Sequence, residues 1–212
     1  ILMNWRNILA ERLAAVQDRI AAAARISGRE ASCVTLVAVT KSTTIEVAQT
    51  TFELGVADLG ESKPQELWKK AAALPAARWH LIGHLQRNKL DRTVSLVGLV
   101  HSVDSPRLLE ALDAFGTKRG TPTPLLLEVN CSRETSKGGF SPEDLPMLGD
   151  RIRSLNGVEL LGLMTMAAYS ENPETVRPTF AELRSLRDSL RASTGLPLPH
   201  LSMGMSADYA VA

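Results

Sequence analysis

The feature that most constrains the fold is a repeated alternation of short apolar runs with longer stretches of helical periodicity. From Asn4 to Ile26 apolar residues recur at helical spacing, and Ser27-Gly28 ends that helix. The next run, Val34–Thr40, is almost continuously apolar and rich in β-branched residues, which is typical of a parallel strand buried on both faces. Strands and helices that alternate in this way predict a parallel sheet with helices packed outside it.

The same alternation continues along the rest of the sequence. Six more strands are predicted at Val56–Leu59, Trp79–Ile82, Leu99–Val103, Pro124–Val129, Val158–Leu163 and His200–Ser202. Helices are predicted after the seventh strand and at Thr44–Leu54, Pro64–Ala73, Asn88–Leu96, Pro106–Lys118, Pro142–Leu155 and Pro173–Ala192. Two of these begin at Ser105-Pro106 and Ser141-Pro142, where the missing N–H of proline costs nothing.

Seven strand-helix units amount to most of an eight-unit barrel. We therefore predict an α/β fold, a (β/α)8 TIM-type barrel with an extra N-terminal helix, and we expect the eighth strand to lie beyond the sequence given. Residues 1–212 are expected to form a single domain. An open, doubly wound sheet is the alternative, because seven strands do not close an ordinary barrel.

Charge and cysteine usage limit the partners and the compartment. There are 24 Lys+Arg against 23 Asp+Glu, and this balance gives no electrostatic reason to expect a nucleic-acid or membrane partner. No apolar run approaches the ~18 residues of a membrane span, and Ile1–Trp5 lacks the charged-then-apolar order of a signal peptide. Cys33 and Cys131 form no CxxC pair, which fits a reducing compartment. We expect a cytoplasmic protein.

Lys41 is the single residue whose position is most informative about chemistry. It directly follows the first and most hydrophobic strand, at the carboxyl end where parallel α/β folds bind ligands. Desolvation near an apolar interior disfavours the charged form of an amine, and the neutral amine attacks an aldehyde to form a Schiff base. The alternative is a lysine that ends a strand and extends its amine to water.

A second candidate site lies between Leu201 and Asp208, where the seventh strand ends. Gly204 allows a ligand to approach the backbone, and Ser206 is placed to cap the predicted helix. Free N–H groups at a helix start bind phosphate, and the loops after strands seven and eight form the recurrent phosphate site of such barrels. An ordinary capped turn, with Met203 and Met205 filling gaps in the core, is the alternative.

Other residues also fall at predicted carboxyl ends of strands. Ser62, Asn130 and Met164 can line the same mouth, or they can simply end their strands. Lys137, in a Lys-Gly-Gly loop, is a second candidate for a reactive lysine but lacks an apolar setting.

The histidines His80 and His84 do not predict a metal site. They are four residues apart, but they flank a strand-like run rather than sharing a helix face. No carboxylate or cysteine lies nearby in the sequence to complete a ligand set. We expect both to pack or to donate hydrogen bonds near the end of the third strand.

Taken together, these segments resemble the pyridoxal phosphate homeostasis proteins, a family of fold-type-III barrels related to the N-terminal domain of alanine racemase. The resemblance runs from about the first helix to the last residue, and the combination of short motifs is specific. The matching segments are Val37–Lys41, Gly60-Glu61-Ser62 with Gln65-Glu66, Trp79–Lys89, His101–Ser105, Val129-Asn130, Lys137–Gly139, Gly162–Met164 and Leu201–Ser206.

The resemblance implies that Lys41 holds pyridoxal 5'-phosphate (PLP) as a Schiff base and that Gly204 and Ser206 contact its phosphate. It places three further residues at the same site: Ser62, Asn130 and Met203. The family usually has Asn where this chain has Ser62, and its eighth strand carries an Arg-Gly-Thr-like segment that this sequence does not contain. Its members are regarded as carriers or regulators of vitamin B6 pools, so no catalytic residue is implied.

Three functions remain open at this point. The first is a monomeric protein of intracellular PLP homeostasis that hands PLP to apo-enzymes. The second is a PLP-dependent racemase using the same lysine, although neither tyrosine, Tyr169 or Tyr209, lies in a recognisable racemase context and the chain has no room for the second domain. The third is a class I aldolase-like barrel, in which Lys41 attacks a sugar-phosphate carbonyl without a cofactor.

Overall fold

Parallel strands in sequential order form the framework of the protein, whose computed structural model describes residues 5–212. The seven strands of that range are β1 (Ala38–Val39), β2 (Asp58–Glu61), β3 (Arg78–Leu81), β4 (Leu99–Val103), β5 (Thr123–Glu128), β6 (Val158–Met164) and β7 (His200–Ser202). Each pairs in parallel with the next, from β1 at one edge to β7 at the other. Asn4, where the predicted first helix starts, lies outside the described residues.

Helices precede β1 and connect the successive strands. They are α1 (Trp5–Ile26), α2 (Ile45–Glu53), α3 (Pro64–Ala73), α4 (Leu90–Val94), α5 (Pro106–Arg119), α6 (Gly149–Ser154) and α7 (Arg177–Thr194). The Ser-Pro start predicted for α5 is confirmed, since the Leu108 N–H donates to Ser105 Oγ at 3.4 Å and Pro106 takes the first helical position. Within residues 5–212, no helix has both the length and the apolar composition needed to cross a bilayer.

The second predicted Ser-Pro start is wrong. Residues 142–144 form turns, a 3-10 turn follows at Leu145–Leu148, and α6 begins only at Gly149. An α-helix that started at Pro142 would need the N–H of Pro146 to bond to the Pro142 carbonyl, and proline has no N–H to donate.

The sheet is curled into a barrel wall. His101 Nδ1 on β4 and Ser202 Oγ on β7 lie 2.7 Å apart, although these strands are three places apart in the sheet. In a flat sheet three strand spacings amount to about 14 Å, so the contact requires that the strands bend round a common interior. The predicted barrel architecture is thus confirmed for these seven strands, and the doubly wound alternative is wrong because the strand order never reverses.

Leucine side chains fill the space between this wall and the helices outside it. Leu125 and Leu127 on β5 are completely buried, as are Leu112 of α5 and Leu183 of α7. Burying one such side chain contributes about 1.5–3 kcal/mol. The strands of the middle of the sheet therefore form a rigid frame on which the carboxyl ends of the strands, and the loops after them, are held in place.

The first strand is shorter and more exposed than the sequence predicts. The predicted strand Val34–Thr40 is reduced to Ala38–Val39, and Val39 has 46% of its surface exposed. The cause is its position at the edge, since β1 has a partner strand on only one side among the described residues. An apolar run indicates a strand, but it does not show whether that strand has a partner strand on both sides.

Candidate functional site

The carboxyl ends of the strands bring most of the predicted site residues to one rim. Lys41 follows β1, Ser62 follows β2, and Asn130 comes two residues after β5. Met203 and Gly204 directly follow β7. In parallel barrels this is the rim where ligands bind.

Lys41 itself is exposed, so the prediction that its amine is desolvated is wrong. It lies in a tight turn between β1 and α2, followed by Ser42, whose φ of 64° is in the left-handed region. The Thr43 N–H and hydroxyl both donate to the Thr40 carbonyl, at 3.1 and 2.7 Å, and close this turn. The side chain is exposed on the turn that follows β1, and desolvation of its amine therefore requires a covering group or a bound ligand.

A buried polar cluster lies directly below the Lys41 turn. The Lys70 ammonium, on α3, donates to the Thr40 carbonyl at 2.7 Å and pairs with the Glu61 carboxylate of β2. Thr40 Oγ1 donates to the same carboxylate at 2.9 Å. The side chains of Lys70 and Glu61 are only 5% and 1% exposed. This cluster joins the ends of β1 and β2 to α3, and it fixes the residue that precedes Lys41.

The segment after β7 is a series of turns and not the predicted helix. Asp208 Oδ1 accepts the Met205 N–H at 2.5 Å, and the N–H groups of Asp208 and Tyr209 donate to the Met205 carbonyl, which closes a compact loop. Ser206 is exposed and does not act as a helix cap. Within residues 5–212 the backbone N–H groups of Gly204, Ser206 and Ala207 donate to no protein acceptor. The loop therefore keeps several donors available to an anion even without a helix dipole.

Gly204 permits this loop for two reasons. Its φ of 92° is a conformation that side chains rarely adopt, and a Cβ there would lie 2.9 Å from the Tyr209 Cα. Met203, which precedes it, is partly buried and packs against the main core and against the small cluster that includes Phe180. The backbone on either side of Gly204 is thereby held by the core and by the Asp208 loop.

The other two predicted contacts are organised by their own loops. Ser62 packs against Gly83 so closely that a Cβ on Gly83 would lie 2.3 Å from the Ser62 carbonyl. The Asn130 amide donates to the Glu134 carbonyl at 2.9 Å, and its oxygen accepts the Ser132 hydroxyl. Asn130 thus shapes the loop that follows β5, while Ser62 contributes backbone next to the end of β3.

Lys137, the second candidate lysine, is engaged in the same loop. Its ammonium pairs with Glu134 and donates to the carbonyls of Met166 and Ala167, at 3.3 and 3.0 Å. These contacts join the loop after β5 to the loop after β6. They occupy the amine of Lys137.

The histidines make hydrogen bonds, as expected. His84 Nδ1 lies 2.9 Å from Asp104 Oδ2, and His80 is buried within β3. Burial, reinforced by the Asp104 carboxylate, raises the pKa of Glu128 at the end of β5. Over residues 5–212, His, Cys, Asp and Glu form no group of three or more that could hold a metal ion.

Sequence reasoning missed Lys70 and the partner of Ser202. A signal for Lys70 was available, because it lies three residues after Leu67 on the buried face of α3.

Two surface cavities lie elsewhere, one of about 260 Å³ bordered by Trp5, Leu9 and Val47 and another of about 230 Å³ between Leu145 and Leu190. Neither includes Lys41, which stands at an open rim.

Comparison with known proteins defines the family. Residues 12–212 match the family described as "Alanine racemase, N-terminal domain". A pyridoxal phosphate homeostasis protein of Aquifex aeolicus is 41% identical over 204 residues, which cover 95% of this chain and 90% of the relative. One from Pseudomonas aeruginosa is 35% identical over 206 residues, covering 96% of this chain and 88% of the relative. The chain is a barrel of the alanine racemase N-terminal type, and within that class it belongs to the pyridoxal phosphate homeostasis protein family.

Solved structures agree with this assignment. PipY of Synechococcus elongatus, solved with PLP bound, has a TM-score of 0.81 and 30% identity, covering 96% of this chain and 92% of PipY. An alanine racemase of Clostridium difficile has a TM-score of 0.70 but only 14% identity, covering 82% of this chain and 49% of the racemase. The racemase likeness concerns the fold alone.

Proposed function

We propose that this protein binds PLP reversibly and takes part in intracellular vitamin B6 homeostasis, with Lys41 as the amine that bonds to the cofactor. The observation that carries the proposal is the position of Lys41, in a closed turn at the carboxyl end of β1 above the Thr40–Glu61–Lys70 cluster. Relatives that carry the name pyridoxal phosphate homeostasis protein, and a PipY structure with PLP bound, support the choice of ligand.

The chemistry of the rim fits PLP at two points. An aldehyde needs an amine within reach, and Lys41 is exposed and bound to no neighbouring side chain among residues 5–212. A phosphate needs N–H donors, and the loop after β7 keeps those of Gly204, Ser206 and Ala207 available. When bound, PLP would supply an electrophilic aldehyde to the Lys41 amine.

Each part of the chain has a separate task in this proposal. The Gly204–Ser206 backbone and the Ser206 hydroxyl hold the phosphate, and Met203 anchors that loop to the core. Binding of the phosphate raises the effective concentration of the aldehyde at Lys41, which favours the bond to the amine. Ser62 and Asn130 are proposed to border the ring.

The test is to load the purified protein with PLP, reduce it with borohydride and map the modified peptide. We expect a visible absorbance band and a label on Lys41, both lost in Lys41→Ala. Lys63→Ala is the matched control, because Lys63 is an exposed lysine next to Ser62 and should leave colour and label unchanged. Colour retained in Lys41→Ala, or a label on Lys137, overturns the assignment. A protein that never becomes coloured overturns PLP binding and favours the aldolase-like alternative.

We propose that the protein carries PLP. The alternative function is that of a PLP-dependent racemase. Tyr169 is 85% exposed on the loop after β6, and Tyr209 packs behind Gly204, so neither is placed as a base for a ligand on Lys41. Incubation of the PLP-loaded protein with L-alanine in deuterated water should leave the Cα hydrogen unexchanged. Enzyme-dependent deuterium incorporation that is lost in Lys41→Ala refutes this part of the proposal.

We also propose that residues 1–212 form one domain and that the protein is a monomer that acts in the cytoplasm. Apo-enzymes are the proposed acceptors of its PLP. The unpaired cysteines Cys33 and Cys131 support a reducing compartment. Transfer of PLP from the loaded protein to an apo-enzyme faster than its release into a trap for free PLP would support direct handover.

A further inference from the structure

A continuous chain of hydrogen bonds crosses the interior of the barrel. Asp58 Oδ1 on β2 lies 2.9 Å from His80 Nε2 on β3, and His80 Nδ1 lies 2.9 Å from His101 Nε2 on β4. His101 Nδ1 lies 2.7 Å from Ser202 Oγ, at the end of β7. The four side chains thus join four strands. They end one residue before the loop proposed to hold the phosphate.

The direction of every hydrogen bond in this chain is fixed from the Asp58 end. Arg78 donates twice to Asp58, at 2.9 and 2.6 Å. Although burial raises the pKa of Asp58, the bonds from Arg78 and His80 outweigh it and hold that pKa below its ordinary value. Asp58 is therefore a carboxylate that can only accept, so the proton of His80 must be on Nε2.

The remaining donors and acceptors follow from that assignment. A neutral His80 with its proton on Nε2 accepts at Nδ1, so His101 must donate from Nε2. His101 then accepts at Nδ1, and Ser202 must donate its hydroxyl proton to it. In this neutral state the proton of Ser202 points into the barrel and cannot serve a ligand.

One added proton reverses the last bond of the chain. If either His80 or His101 gains a proton, His101 donates from Nδ1 to Ser202 Oγ, and the hydroxyl proton of Ser202 is released to donate elsewhere. The added charge is costly in the free protein. Burial lowers the pKa of His80, and burial together with His80 and His200 lowers the pKa of His101 to about 3.

An anion next to Ser202 can offset the free-energy cost of protonating His80 or His101. The charged or titratable groups that face the two imidazoles are Asp58 on β2, Arg78 on β3 and His200 on β7. Arg78 neutralises Asp58, so an added proton gives the hydrogen-bonded chain an uncompensated positive charge. A phosphate dianion at the end of β7 attracts that charge, and it also needs the donor that the reversal provides.

We propose that the Asp58–His80–His101–Ser202 chain couples phosphate binding at the end of β7 to the uptake of a proton. His80 and His101 are positioning residues in this scheme, because they act on the ligand only through Ser202. The inference rests on the proposed function, since it requires that the phosphate of PLP binds at residues 203–206.

The first measurement is 15N NMR of the histidine side chains of the wild-type protein, free and with PLP. In the free protein we expect His80 and His101 to be neutral with their protons on Nε2. With PLP we expect His101 Nδ1 to become protonated. A free protein in which either ring carries its proton on Nδ1 overturns the assignment without any reference to PLP.

The second measurement is calorimetry in two buffers with different protonation enthalpies, which counts the protons taken up on binding. We expect an uptake approaching about one proton per PLP that is missing for pyridoxal, which has no phosphate. Ser202→Ala should remove the uptake and Ser202→Thr should restore it. The affinity of the wild type should rise by up to about tenfold per unit fall in pH relative to Ser202→Ala. His84→Asn is the control, because His84 lies outside the chain and should change neither quantity.

Failure of this inference and failure of the proposed function give different results. PLP that binds, as seen by colour and borohydride labelling, with no proton uptake and no change at His101 overturns the coupling alone. The same result shows that the Asp58–His80–His101–Ser202 chain serves only to pack the barrel interior. A wild-type protein that does not bind PLP overturns the proposed function and the coupling with it.

Discussion

Replacement of Lys70 by methionine is expected to destabilise the protein more than any change to an exposed lysine. Lys70→Met removes the ammonium but leaves the Glu61 carboxylate, which is 1% exposed, with only the Thr40 hydroxyl as a donor. Loss of one partner of a buried ion pair costs about 3–5 kcal/mol, because the remaining charge is neither solvated nor paired. With a urea m-value of about 3 kcal/mol/M, this predicts a fall of about 1–2 M in the unfolding midpoint.

The double variant Glu61→Met/Lys70→Met tests whether the cost arises from the orphaned charge. Thr40 keeps other partners in that variant, since its hydroxyl lies 3.3 Å from the Gly60 carbonyl and its own carbonyl still accepts from Thr43. We therefore expect the double variant to recover at least about 2 kcal/mol of the loss. The control is Lys69→Met on the same helix, because Lys69 pairs with Glu66 in water and should leave the midpoint unchanged. A midpoint for Lys70→Met that matches the Lys69→Met control would refute the reasoning.

Three further predictions concern other parts of the molecule. Ser206→Ala should weaken PLP retention by about 1 kcal/mol, roughly fivefold, in a titration, and unchanged affinity would remove Ser206 from the phosphate site. The stability that Asp58 contributes should be present above its ordinary pKa of 3.8 and be lost as pH falls through its lowered native pKa. Acid unfolding of Asp58→Asn should lack that loss. An acid-unfolding profile identical to that of the wild type would contradict the pairing of Asp58 with Arg78. Ser105→Ala should lower the free energy of unfolding by about 0.5–1 kcal/mol through loss of the α5 cap, with no effect on PLP affinity as the check that the change is local.

The sequence is a good guide where a signal is local. The bounds of β4 and β7 are as predicted, and α3 begins and ends at the predicted residues, because apolar runs and proline at the first helical position are read within a few residues. The sequence also places Lys41 correctly at the end of β1. These successes share one physical cause, which is that a strand or helix end depends mainly on its neighbours along the chain.

Sequence reasoning fails where a partner comes from a distant part of the chain. The exposure of Lys41 depends on what stands beside β1, and Thr40 is fixed by a lysine thirty residues away. The contact between His101 and Ser202 spans 101 residues and exists only because the sheet curls. The turns after β7 are a nearer case, in which Met205 bonds to Asp208 through both its N–H and its carbonyl, and Ser206 caps no helix.

The Thr40 carbonyl, which accepts three hydrogen bonds, bears on how freely the neighbouring Lys41 can move. Two of these bonds come from Thr43 within the turn and one from the buried Lys70 ammonium, so the backbone beside Lys41 is tied to α3. With that backbone fixed, only the side-chain torsions of Lys41 remain to be ordered when its amine engages a ligand, which lowers the entropic cost of binding. A substitution on α3, remote from the rim, should therefore influence the ligand through this one carbonyl.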